Sequence, residues 1–169
     1  MRLNVSAVVG VLGALLGALG VALLAPRGVA LLYGEAEWWG FGATALVSVG
    51  GCAALWFTNR PEREIQIRDG FAIVALAWIV MALVGAVPFV LTGVLDSYTD
   101  AFFETISGFT TTGATILGGA DTPAIEAIPN AVLFWRSFMH WRGGRGSIVL
   151  TLAVLPLLGI GGMQLFKAE

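Results

Sequence analysis

The chain has 169 residues, of which 57% are hydrophobic and 12% charged, with a formal net charge of −2 and a mean hydropathy of +0.87. Soluble domains average about 45–50% apolar and about 25% charged residues, so this composition marks an integral membrane protein and excludes a soluble domain; no nucleic-acid partner is expected. One cysteine, Cys52, allows no intrachain disulfide, and one histidine, His140, excludes a His-rich metal site.

Four apolar stretches reach the roughly 20 residues a spanning helix needs, at 3–25, 38–57, 71–95 and 130–160. The first begins after Arg2 and has the look of a signal peptide. Its apolar run exceeds the roughly 7–15 residues of a signal core, so a retained transmembrane helix is expected. Gly10, Gly13, Gly17 and Gly20 fall on one face of it and invite another helix to approach closely.

The second stretch carries Trp38 and Trp39 at one end and Trp56 at the other, as interfacial anchors do. Asn59-Arg60-Pro61 ends it, because proline lacks the amide that a helix interior needs. Cys52 is read as a small packing residue. Segment 59–69 is expected to be a loop and holds Arg60, Arg63 and Arg68; under alternating topology Arg2 and Lys167 lie on the same side, which is then cytoplasmic. The opposite side holds Arg27 with Glu35, Glu37, Asp96, Asp100, Asp121 and Glu126. An acidic vestibule there would concentrate cations, although at least half of these charges read equally well as ordinary solvated loop residues.

The third stretch contains Gly85 and Pro88, which predicts a kink; Thr92 and Gly93 mark its exit. Ser97-Tyr98-Thr99-Asp100 has the form of a capping box and predicts a short helix over 98–107. Directly after it comes Thr110-Thr111-Thr112-Gly113-Ala114-Thr115, polar backbone between two segments apolar enough to cross a bilayer. Backbone at membrane depth must be hydrogen-bonded, buried in protein or facing a water-filled path. A half-helix followed by an extended limb predicts a re-entrant pore loop, with the negative end of the helix dipole aimed at a cation. The carbonyls of residues 111–115 would replace the water around the ion, and Gly113 supplies an unusual backbone conformation. The competing reading is a polar extracellular loop between ordinary helices.

The fourth stretch is interrupted by Arg136, His140, Arg142 and Arg145 and by Gly143, Gly144 and Gly146. Charges at membrane depth are costly and should face protein or water. Glu104, on the short helix, is expected to pair with Arg136, since intramembrane ions are usually paired. His140 is expected to pack between helices and Phe109 to brace the loop from behind. Arg142 and Arg145 are expected to form a structural ion pair or face a solvated crevice, ahead of binding a lipid headgroup or phosphate.

The run AFFETISGFTTTGAT over 101–115 resembles the first pore loop of the Trk/Ktr/HKT superfamily of potassium transporters, and of its TrkH branch in particular. Val84-Gly85-Ala86-Val87-Pro88-Phe89 resembles the end of that family's first pore-unit helix. Leu133-Phe134-Trp135-Arg136, the region of Trp141, Gly143, Gly144 and Gly146, and Leu155-Pro156 with Gly159-Ile160-Gly161-Gly162-Met163-Gln164-Leu165 resemble its second. The resemblance spans about 71–169, and the two preceding helices fit the extra pair of the TrkH branch.

The resemblance implies an all-α integral membrane fold of two N-terminal transmembrane helices followed by one helix–re-entrant pore loop–helix unit. The organisation is then a helix pair over 1–58, a cytoplasmic loop over 59–69 and a pore unit over 70–169. Thr111, Thr112 and Gly113 would line a selectivity filter, with K+ held at Thr111 and Thr112 and with Thr110, Ala114 and Thr115 flanking. It implies potassium uptake across a bacterial cytoplasmic membrane, no organic cofactor, and a TrkA-type nucleotide-binding regulatory partner in the cytoplasm. An enzyme using His140 and the arginines on a phosphorylated lipid is not expected, because the residues offer no nucleophile–base constellation of recognisable spacing. Arg142 and Arg145 depart from the apolar residues usual around the family's paired glycines. The family closes its pore with four such units, so one unit needs the others from a longer chain or from identical copies in an oligomer; failing that, it is a non-conducting membrane protein or an assembly scaffold.

Overall fold

The first apolar stretch folds as two helices, α1 over Val5–Ala22 and α2 over Leu24–Tyr33, where a single helix over 3–25 is the expectation from sequence. Pro26 has no amide to donate to the Ala22 carbonyl, which interrupts the ladder. Leu23 nevertheless keeps helical angles, and proline is well tolerated in the first turn of the helix that follows. Pro26 therefore divides the helix without ending its helical course. The Arg27 guanidinium lies 5.4 Å from the Trp38 ring centroid.

The computed structural model describes residues 4–58, 67–119 and 122–157, with side chains for 4–57, 69–119 and 122–146. The charges of Arg2, Arg60, Arg63, Lys167 and Asp121 and the side chain of Arg68 lie outside the described residues. So do most of the expected loop 59–69 and the last part of the expected helix 130–160.

Helix α3, Trp38–Thr58, packs along α1, and the glycines of α1 make this possible. A Cβ on Gly17 would sit 2.7 Å from Cys52 Sγ, one on Gly20 2.7 Å from Val49, and one on Gly13 3.1 Å from Leu55; Gly10 faces open space. Apolar burial gives no transfer gain against lipid, so close backbone approach and interhelical hydrogen bonds hold such helices together. Buried hydroxyls on α3 are satisfied within the helix, Thr44 Oγ1 donating to the Gly40 carbonyl and Ser48 Oγ to that of Thr44.

Helix α4 runs Ile67–Leu91, shifted towards the N-terminus from the expected 71–95. Asp69, in its first turn, accepts the Asn4 amide at 3.1 Å, joining the start of α4 to the start of α1. Gly93, at φ 69°, ends the helix, and the amides of Val94 and Leu95 turn back to the Phe89 carbonyl. Helix α5, Tyr98–Phe109, extends two residues past the expected 98–107, and α6 occupies Asn130–Leu157. Helix α5 lies against both α4 and α6, and Phe41, Phe89, Phe109, Trp135 and Met139 are buried in the shared core.

Among the described residues every regular element is helical. Three helical segments among the described residues are long and apolar enough to cross a membrane: Val5–Tyr33, Trp38–Phe57 and Asp69–Leu91.

Candidate functional site

The site is built on α5. Ser97 Oγ caps the helix by accepting the Asp100 amide at 3.4 Å, and Asp100 in the first turn complements the positive end of the dipole. The Tyr98 hydroxyl donates to the Leu83 carbonyl of α4 at 2.6 Å; burial raises the pKa of this phenol above its ordinary value. Pro88, inside α4, has no amide for the helix ladder. Near it the Gly85 carbonyl accepts the Trp135 indole N–H from α6 at 3.1 Å, so one buried hydrogen bond ties the two helices flanking α5.

The C-terminal end of α5 fits between backbones rather than side chains. Gly85 of α4 faces Thr105 and Phe109, and Gly143 of α6 faces the main chain of Phe109. Phe109 is buried and meets Trp135 edge to face, ring centroids 6.4 Å apart, behind the segment that follows.

That segment leaves the helix by a Schellman turn. The Thr112 amide donates to the Ser107 carbonyl at 3.0 Å and the Thr111 amide to that of Gly108 at 3.1 Å, with Thr111 at φ 58° in the left-handed position that glycine usually takes. A left-handed β-branched residue costs about 1–2 kcal/mol; such strain persists where the surroundings over-determine it, and it gathers at functional sites. Gly113 follows at φ 79°, where glycine carries no penalty. Thr110 Oγ1 donates to the Ile106 carbonyl at 2.7 Å and lies 2.8 Å from Thr112 Oγ1.

Beyond Gly113 the chain doubles back along α5. Ser107 Oγ donates to the Ala114 carbonyl at 2.6 Å. Thr115 Oγ1 lies 3.0 and 3.1 Å from the two Glu104 carboxylate oxygens, and the Ile116 amide donates to Glu104 Oε2 at 3.1 Å. The Leu117 amide donates to Thr115 Oγ1 at 3.1 Å. Arg136 Nε, from α6, bonds Glu104 Oε1, and the Glu104 side chain is 0% exposed. Thr110, Thr111, Thr112, Gly113, Ala114 and Thr115 are all exposed. Among the described residues the carbonyls of Thr111, Thr112 and Gly113 accept no hydrogen bond, whereas that of Ala114 is occupied by Ser107.

His140, Arg142 and Arg145, also on α6, are placed differently from one another. His140 Nδ1 lies 3.0 Å from the Arg136 carbonyl, and its ring packs against Gly108. The Arg142 guanidinium lies 5.8 Å from the Phe138 ring centroid and that of Arg145 4.4 Å from Trp141, so both face aromatic rings. Arg142 also lines an apolar cavity of about 370 Å³ with residues of α1 and α4. Among the described residues no cluster of His, Cys, Asp or Glu is suited to a metal ion; the donors at the limb are carbonyls and hydroxyls, the ligands that suit an alkali cation.

Sequence reasoning missed three residues that build the site. Glu35 spans from the end of α2 to the start of α6: its Oε1 accepts the Asn130 amide at 2.6 Å and Asn130 Nδ2 at 3.0 Å, and its Oε2 accepts the Ala131 amide at 3.0 Å. A partner 95 positions away leaves no local trace. Ser107 was hidden for the same reason, since the chain must reverse before it can reach Ala114. Trp135 had a usable clue, because a buried indole N–H seeks an acceptor and Pro88 perturbs the ladder nearby.

A profile of the TrkH family, described as cation transport protein, matches residues 42–169. The chain is 46% identical over 164 residues to the Trk system potassium uptake protein TrkH of Vibrio parahaemolyticus serotype O3:K6, covering 96% of this chain and 33% of that protein. It is likewise 46% identical over 149 residues to the TrkH of Escherichia coli K12, covering 87% of this chain and 30% of that one. The crystal structure of the potassium transporter TrkH from Vibrio parahaemolyticus superposes with a TM-score of 0.84 at 43% identity, covering 96% of this chain and 34% of that chain. The chain thus spans about a third of the length of these relatives.

Proposed function

The chain belongs to the TrkH family of cation transport proteins, and from that premise we propose that it supplies one quarter of the pore of a potassium uptake transporter. Helix α5 acts as a pore helix whose C-terminal end, carrying roughly half a negative charge, faces the ion path. The limb of residues 110–115 is the filter, re-entering the membrane between α4 and α6. Carbonyls of Thr111, Thr112 and Gly113 replace hydration water around K+, with Thr110, Ala114 and Thr115 alongside. The reaction is permeation, with no covalent chemistry.

The observation that carries this reading is the division of the limb's carbonyls. Those of Thr111, Thr112 and Gly113 accept no bond among the described residues, nor do those of Thr110 and Thr115 beside them, while that of Ala114 is held by Ser107. Left-handed backbone at Thr111 supports it, because a β-branched residue is held there in a position that glycine would take without strain.

One limb closes no ring around an ion. Three further limbs, from the same longer chain or from identical copies, complete the coordination. The same reading places the protein in a bacterial cytoplasmic membrane with its N-terminus inside, in contact with lipid and with a TrkA-type nucleotide-binding subunit on the cytoplasmic side.

Replacing Gly113 by valine in the complete transporter tests the filter. Space is not limiting, since nothing lies within 4 Å of a Cβ there, but φ 79° is strained for any side chain. Loss of K+ uptake, or of its preference over Na+, in a strain lacking other potassium uptake is the expected result; unaltered uptake and preference would refute the assignment. Expressing residues 1–169 alone in that strain separates the two assemblies: uptake identifies self-sufficient copies, and none identifies a dependence on further units.

A further inference from the structure

We propose that Glu104 is the positioning residue of the filter, an ionised carboxylate that fastens the outgoing limb to α5 and α6 at one point. The inference rests on the reading of residues 110–115 as the filter and assigns what holds that filter in shape.

The carboxylate is fully buried, and its partners arrive from two directions. Arg136 Nε comes from α6; the Thr115 hydroxyl and the Ile116 amide come from the limb, immediately after the carbonyls assigned to the ion. Every one of these partners is a donor. An amide N–H and an arginine Nε–H can only donate, and the Thr115 hydroxyl already accepts from the Leu117 amide, which leaves its proton for Glu104. A carboxylate, with two oxygens and about four acceptor sites, satisfies all of them. A glutamine in its place would turn an NH2 group towards Arg136 or towards Ile116, setting donor against donor.

The arrangement also explains why a buried charge is retained here. An ion pair alone gives little net stability against apolar residues of the same volume. This carboxylate does more, because through Thr115 and Ile116 it fixes the distance between the limb and the pore helix. Groups that orient the ligands of a cation act on ion affinity without touching the ion.

The test uses the complete transporter in a strain lacking other potassium uptake, with each variant's level in the membrane measured. E104Q and T115V should each raise the KM for K+ and weaken discrimination against Na+, by about tenfold. T115S, which keeps the hydroxyl, should resemble the parent, and the E104Q/T115V pair should be no worse than the worse single variant, since both break one contact. G113A serves as the separate gauge of the filter. If T115V and E104Q leave KM and discrimination unchanged while G113A impairs them, the filter stands and the positioning role of Glu104 is overturned. If G113A is also without effect, the filter reading fails and takes this inference with it. Should E104Q not reach the membrane, T115V decides, because it alters an exposed side chain by one hydroxyl; a fall in transporter level with unchanged KM and discrimination would mark a merely structural contact and overturn the proposal.

Discussion

Gly143 of α6 lies so close to Phe109 of α5 that a Cβ on it would stand 2.0 Å from the Phe109 carbonyl oxygen. The obstacle is main chain, which cannot rotate aside, so any side chain at 143 must push the two helices apart. Gly144, one position on, would meet only Thr111 Cγ2 at 3.8 Å, an ordinary contact. Gly143→Ala should therefore destabilise the protein by about 1–3 kcal/mol, as overpacking does, and Gly144→Ala should be close to neutral. Thermal unfolding of the two variants in detergent checks this, and equal midpoints would contradict the close approach.

Thr111 offers the opposite outcome. Its left-handed backbone is strained by about 1–2 kcal/mol, which glycine would relieve at a cost of about 0.4–1 kcal/mol in unfolded-chain entropy. Thr111→Gly should leave thermal stability equal or slightly raised while K+ discrimination falls, because the limb loses its fixed shape. A clear drop in the unfolding midpoint would show that the Thr111 side chain stabilises the turn.

The Glu35 carboxylate caps α6 with two oxygens on three donors. Glu35→Ala should cost about 1–2 kcal/mol, as loss of a helix cap does, and Glu35→Gln about half as much, since one acceptor survives. Faster amide hydrogen exchange at Asn130 and Ala131 should accompany the loss. Unchanged protection at those amides would exclude the cap.

Exchanging the charges of Glu104 and Arg136 separates pairing from positioning. The double variant E104R/R136E restores opposite charges, so its level in the membrane should exceed that of either single reversal. Uptake should stay low, because Thr115 and Ile116 would then face a guanidinium, which accepts nothing. Full recovery of uptake would mean that attraction alone accounts for the pair.

Hydropathy and punctuation made most of the helices legible, because a long apolar run leaves the backbone few other solutions in a membrane. Ser97 announced the start of α5 by side-chain chemistry that acts within three residues. Pro26 misled for a local reason: proline in a first turn looks the same in sequence as proline after a last one. The limb was legible as threonine and glycine where lipid demands neither, yet the left-handed angle at Thr111 was not, since nothing about threonine prefers it. It is imposed by the Schellman bonds to Ser107 and Gly108. Glu35, Ser107 and Gly143 act on partners that meet them only after the helices have packed.

The joint at Leu23 has a further consequence. The segment Val5–Tyr33 holds 29 residues, roughly 43 Å of helix at about 1.5 Å per residue, whereas the hydrocarbon layer is about 30 Å thick. An unbroken upright rod of that length would overshoot the acyl chains by about two turns and point its surplus into water. The part beyond that joint, α2, packs against α6 instead, where it delivers Glu35 to the first amides of that helix. Length that the bilayer has no use for becomes a bracket, and the bracket holds the first turn of α6 against α2.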